Sequence, residues 1–133
     1  RIFDAGSFPS GGAGMACSAP DMLAFLEAVR TGGGGVVSTD TARSMMTNQT
    51  GSLPIVTSGP GWGFGFGGAV MLDPAASGSP LPAGAWMWGG VYGHSWFVDP
   101  AGGTSFVLMT NTSTEGMSGR LSQELMGAVA SWA

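Results

Sequence analysis

The stretch Gly61-Trp62-Gly63-Phe64-Gly65-Phe66-Gly67 constrains the fold more than any other part of the chain. Aromatic residues and glycines alternate with period two, the period of a β-strand. The segment is therefore expected to be a strand with one packed aromatic face and one face stripped of side chains. A stripped face invites close approach by another backbone, a helix or a ligand.

Other extended segments follow. A Pro/Gly/Ser/Ala-rich loop is expected over residues 73–84. Strands are expected at about 85–90 and 92–98, then a turn at Asp99-Pro100-Ala101-Gly102-Gly103. The last strand, Thr104 to Thr110, has a continuous apolar centre, Phe106-Val107-Leu108-Met109, which predicts burial on both faces. Helices flank these strands. Ser18 with Pro20 and Asp21 forms a helix start, and Met22, Phe25, Leu26 and Val29 share one face. Gly32 to Gly35 stop that helix. Ser38 caps a second, short one that runs through Met46, with Asp40 favoured in its first turn. A final helix is expected from Thr114 to Trp132, with Leu121, Leu125, Val129 and Trp132 as its buried stripe. The expected fold is α+β: loop and helices in 1–60, strands in 61–112 and a terminal helix in 113–133.

Composition narrows the function classes. Of 133 residues only 9% are charged, against about a quarter in ordinary domains. A surface so poor in charge predicts that much of it is covered by something else. The net charge of −4 provides no basic stripe for nucleic acid. No apolar run is long enough to span a bilayer. The opening Arg1-Ile2-Phe3-Asp4 lacks Met and the pattern of a signal peptide, so the chain reads as a processed product or an excised fragment. Cys17 is the single cysteine and is expected to be a small buried residue.

The chemistry centres on Trp86-Met87-Trp88-Gly89-Gly90-Val91-Tyr92-Gly93-His94-Ser95-Trp96. Gly93-His94-Ser95 imitates half of a nucleophile elbow, but Trp96 and Phe97 stand where that motif needs tight-turn residues and a closing glycine. His94 is the only histidine and, as a neighbour on a strand, points away from Ser95. Ser95 is accordingly read as structural. One His and one Cys do not make a zinc site, and no cofactor or metal is expected. Asp21, Asp40 and Glu115 read as helix caps, and Asp73 and Asp99 as turn residues. Gly32 to Gly35 lack the lysine and spacing of a phosphate loop. What remains is a Trp-Gly-Gly strand beside a strand that begins with His94. Its backbone N–H groups either donate to an oxyanion in a cleft or merely belong to a hairpin packed by tryptophans.

The chain resembles the C-terminal portion of the serine β-lactamase-like hydrolases: class C β-lactamases, D-amino-acid peptidases and, most closely, family VIII carboxylesterases. The residues that carry the resemblance are Gly11-Gly12-Ala13-Gly14-Met15 leading into Ser18–Leu26, Gly61–Phe66, Trp88–His94, Trp96-Phe97-Val98-Asp99-Pro100 and Phe106–Asn111. It implies an antiparallel β-meander between a helical segment and a C-terminal helix, incomplete without an N-terminal segment. That family uses Ser-x-x-Lys, a Tyr-x-Asn motif and Lys-Thr-Gly or Trp-Gly-Gly. The chain has no lysine, so the first motif is absent; Tyr92, its only tyrosine, does not match the second.

Trp88, Gly89 and Gly90 match the third motif and are implied to bind substrate. Val91 is implied to supply one oxyanion N–H, and His94 an accessory role, against the alternative of a half-buried histidine with a backbone partner. The Gly14-Met15 turn is read as leading into a capped helix rather than as part of the cleft. The implied partners are the N-terminal segment, which carries the nucleophile, and a small ester substrate. The implied reaction is hydrolysis or transfer of acyl groups through an acyl-serine. A β-lactamase, a D-amino-acid peptidase or a non-catalytic binding module of the same fold are the alternatives.

Overall fold

The computed structural model describes residues 3–12 and 14–132. Arg1, Ile2 and Ala13 of the expected loop-and-helix segment 1–60, and Ala133 of the expected terminal-helix segment, lie outside the described residues. Five strands form one antiparallel sheet in chain order: β1 (Trp62–Phe64), β2 (Ala69–Met71), β3 (Trp86–Gly90), β4 (His94–Asp99) and β5 (Thr104–Met109). The helices are α1 (Ala19–Arg30), α2 (Thr39–Met45), α3 (Pro74–Ser77), α4 (Glu115–Ser118) and α5 (Arg120–Ala130). Among the described residues no helix is long and apolar enough to cross a membrane.

Helix α1 starts as its sequence dictates. The Ser18 hydroxyl accepts from the Asp21 N–H at 3.3 Å, and Asp21 Oδ2 accepts from the Ser18 hydroxyl at 2.7 Å. Its Leu26 and Val29 are fully buried against the sheet. Burial of this kind contributes about 1.5–3 kcal/mol per side chain. The helix ends where Gly32 to Gly35 all take positive φ. Helix α2 is capped by the Ser38 hydroxyl, which accepts from the Thr41 N–H at 3.1 Å.

Alternation along the strands sorts side chains to two faces. On the α1 face, Trp86 and Trp96 meet edge to face with centroids 4.5 Å apart, packed with Val70, Val98, Leu26 and Val29. On the α5 face, Phe97 stacks on Phe106 at 5.4 Å, beside Met71, Leu81 and Met126.

Six expectations need correction. The glycine–aromatic strand stops at Phe64, because Gly65 to Gly68 turn the chain back into β2; the Gly65 N–H donates to the Gly68 carbonyl at 2.9 Å. Its stripped face is nevertheless approached closely. A Cβ on Gly63 would collide with Asn48, and one on Gly65 with the Met45 carbonyl. The expected 73–84 loop holds α3, begun by Asp73, whose Oδ1 accepts from the N–H groups of Ala75 and Ala76. Strand β5 is half-buried rather than buried on both faces, since it is the sheet's edge. The terminal helix is broken at Gly119, and there Glu115 Oε1 accepts from the Leu121 N–H at 2.8 Å. Helix α5 buries Ser122 and Met126; of the expected stripe, Val129 packs against the core, while Leu121, Leu125 and Trp132 are exposed. Cys17, finally, is exposed, because it precedes α1 in a segment that does not enter the core.

Candidate active site

The site grows out of the β3–β4 hairpin. Trp88 pairs with Trp96, Gly89 with Ser95 and Gly90 with His94. Trp88, Gly90, His94 and Trp96 therefore share the α1 face, and Gly89 and Ser95 the opposite one. A Cβ on Gly89 would stand 2.9 Å from Met117 Cγ of α4. A Cβ on Gly90 would collide with the imidazole of His94, so that ring lies over the bare Gly90 backbone.

Pairing on the other edge of β3 is incomplete. Strand β2 pairs with Trp86 and Met87 and goes no further, so Trp88 to Gly90 have an open edge on that side. The turn fixes the next peptide. The Gly93 N–H donates to the Gly90 carbonyl at 2.9 Å, which aims that carbonyl toward β4. In a trans peptide the N–H points opposite to the carbonyl, and no cis peptide occurs among the described residues. The Val91 N–H is therefore directed away from β4, to the side of the open edge. It has no acceptor among the described residues. The Val91 carbonyl accepts from the Ser113 hydroxyl at 2.6 Å, and the Gly93 carbonyl accepts from the N–H and hydroxyl of Thr110, both at 2.8 Å. Those bonds hold the turn from the side of the sheet's far end.

A cleft of about 610 Å³ opens here. Trp88, Gly89, Gly90, Val91 and His94 all line it, together with Tyr92, Met22 and Val107. Gly11, Gly12, Met15, Ala16 and Cys17, from the residues before α1, also stand on its wall. The sequence reading assigned Gly14-Met15 to a turn alone; Met15 is a wall residue of the cleft. The cue was the exposed apolar side chain in a glycine-rich loop. The walls are mainly apolar, which suits an uncharged guest.

His94 is exposed, not half-buried; its backbone pairs within the sheet, and its imidazole has no hydrogen-bond partner among the described residues. Ser95 behaves as expected of a structural residue: it is fully buried, and its hydroxyl lies 2.8 Å from that of Ser122. The acids are likewise committed. Asp99 Oδ1 accepts from the N–H groups of Ala101 and Gly102, both at 3.0 Å. Asp40 pairs with Arg43, and Glu124 with Arg120. Glu27 makes two hydrogen bonds to the Arg30 guanidinium, at 2.8 and 2.7 Å, which pull its carboxyl down to about 2.

Comparison with known proteins follows the same lines. The Beta-lactamase family profile matches residues 2–131. Esterase EstB of Burkholderia gladioli is 54% identical over 131 residues, which cover 97% of this chain and 32% of that protein. Among solved structures, EstCE1, described as a hydrolase with promiscuous acyltransferase activity, matches with a TM-score of 0.86 and 50% identity. That match covers 96% of this chain and 33% of EstCE1. The chain thus spans about a third of the length of these relatives. It belongs to the β-lactamase family.

Proposed function

We propose that this chain is the C-terminal part of a serine carboxylesterase of the family VIII type, and that it acts on carboxylic esters through an acyl-serine. The observation that carries the proposal is the course of Trp88-Gly89-Gly90-Val91. It runs along an open strand edge into an apolar cleft and ends in an N–H directed to that edge. The similarity to Esterase EstB supports the same substrate class.

In this reading a complementary N-terminal segment supplies Ser-x-x-Lys and the tyrosine motif, which a chain without lysine cannot hold. The activated serine attacks the ester carbonyl. Charge develops on the carbonyl oxygen, which accepts from the Val91 N–H and from the N–H of the serine itself. Fixed donors of this kind stabilise the transition state without reorganisation. The alcohol leaves; water or a second alcohol then takes the acyl group from the serine. The acyltransferase description of EstCE1 favours including the second acceptor.

Extended backbone at Gly89-Gly90 lets the acyl group lie along the strand. Trp88 stands where the Lys-Thr-Gly form of the motif has a cation, and replaces it with an apolar wall suited to neutral esters over anionic β-lactams. The position of His94, exposed at the cleft with its ring over Gly90, supports an accessory role beside the bound acyl group.

The test is turnover of p-nitrophenyl acetate and butyrate by the chain alone and by the chain assembled with its N-terminal segment. The expected result is turnover only in the assembly, abolished by changing the segment's serine to alanine. Hydrolysis of nitrocefin or D-alanyl peptides in preference to esters would redirect the assignment within the family. Absence of all turnover from a verified assembly would leave a binding module.

A further inference from the structure

Trp88 stands at the level where β3 loses its β2 neighbour. The chain beside it there is Gly67-Gly68, the turn between β1 and β2. A Cβ on Gly68 would lie 2.6 Å from Trp86 Nε1 and 2.9 Å from the Met87 carbonyl oxygen, so no side chain fits. The turn is packed that tightly against β3, and Phe64, on β1 two strands away, reaches Trp88. Its ring meets the Trp88 indole with centroids 5.0 Å apart and planes at 85°, an edge-to-face pair.

Phe64 is half-buried and does not belong to the cleft lining. Its own backbone is clamped on both sides. The Phe64 N–H donates to Asn48 Oδ1 at 3.2 Å, and the Phe64 carbonyl accepts from the Gln49 N–H at 2.7 Å. Asn48 is held in turn, since its Nδ2 donates to the Gly51 carbonyl at 2.8 Å and its Oδ1 accepts from the Thr50 N–H at 3.0 Å. A continuous set of contacts thus runs from the loop after α2, through Phe64, to the indole that walls the cleft.

We infer that Phe64 is a positioning residue that sets the acyl size the cleft accepts, by holding Trp88 forward against the open edge of β3. The inference rests on the ester reading of the cleft. With the phenyl ring gone, the indole is free to retreat into the space the ring vacates, and the wall recedes. Larger acyl groups then gain relative to acetyl. The edge-to-face pair is worth about 0.5–1.5 kcal/mol, which at ~1.4 kcal/mol per decade is about 2- to 12-fold.

Two measurements test it. First, the chain is labelled with 5-fluorotryptophan and assembled with its unlabelled N-terminal segment, and its five tryptophan resonances are read by 19F NMR, with Trp88 assigned from Trp88→Phe. Phe64→Ala is expected to move the Trp88 resonance while that of Trp132 stays in place; Phe64→Tyr is expected to restore it. Second, in the assembled protein, Phe64→Ala is expected to raise the butyrate-to-acetate ratio of kcat/KM by about 2- to 12-fold, mainly through KM, with Phe64→Tyr returning the wild-type ratio. Phe64→Leu replaces Phe64→Ala if the latter does not fold. An unmoved Trp88 resonance in a folded variant overturns the inference. So does an unchanged ratio in an active assembly. A wild-type assembly inactive on both esters instead refutes the ester reading, and this inference with it, even where the Trp88 resonance moves as expected.

Discussion

Replacing Ser95 by alanine separates two roles for the serine that follows the chain's only histidine. The Ser95 and Ser122 hydroxyls lie 2.8 Å apart, and both residues are fully buried. Deleting one leaves the other without a partner inside the protein, a penalty of about 1–3 kcal/mol. Deleting both removes the orphan, so Ser95→Ala/Ser122→Ala is expected to cost less than the sum of the single changes. The coupling should be about 1 kcal/mol or more. For a chain of this size that corresponds to a fall of roughly 3–5 °C in Tm per kcal/mol. Urea unfolding of the chain, followed by tryptophan fluorescence, measures the four-member cycle. Ester turnover by the assembled Ser95→Ala protein, expected within about twofold of wild type once folded, completes it. Strictly additive losses would refute the hydrogen-bond argument. A Ser95→Ala protein of unchanged stability that loses turnover would return Ser95 to the chemistry.

Three further outcomes are expected. Val91 follows Gly90 in the turn closed by the Gly93 N–H, a position where proline is well accommodated. Val91→Pro should therefore keep the turn, remove the N–H and lower kcat of the assembly by about 10²- to 10³-fold, while Val91→Ala stays near wild type; steady-state kinetics decides. Gly90→Ala should push the His94 imidazole off the strand, read as a shift of the single histidine Hε1 resonance, since a Cβ there has no room. The Glu27 carboxyl is held below its ordinary value of 4.5, at about 2, by Arg30. A depressed folded value means its contribution is complete above about pH 4.5 and disappears as pH falls toward 2. The wild-type advantage in urea midpoint over Glu27→Gln should follow that course, and stay under about 1 kcal/mol because the pair is partly exposed.

Local rules made α1, α2 and the β3, β4 and β5 strands legible, since each has its own cap, turn or period in the sequence. Helix α3 carried a signal too: Asp73-Pro74 is a capping residue followed by a proline in the first turn. The read failed where a residue's partner is remote. Strand β2 is three residues long and exists by pairing with β1 and β3. Helix α5 turns Ser122, Met126 and Val129 toward the sheet, where Ser122 meets Ser95 and Met126 joins the Phe97 cluster, so Leu121 and Leu125 of the expected stripe face outward.

The Trp88-Gly89-Gly90-Val91 motif and the missing lysine are properties of the sequence alone, and the motif, in order and spacing with Gly61–Phe66, Trp96–Pro100 and Phe106–Asn111, places the chain among its relatives. Period and motif are local, so they survive without coordinates. The direction of the Val91 N–H, the open edge beyond Met87, the imidazole over Gly90 and the entry of Met15 into the cleft are different in kind. Each depends on where one segment ends relative to another, and that is decided only when the sheet is assembled and β2 stops short of Trp88.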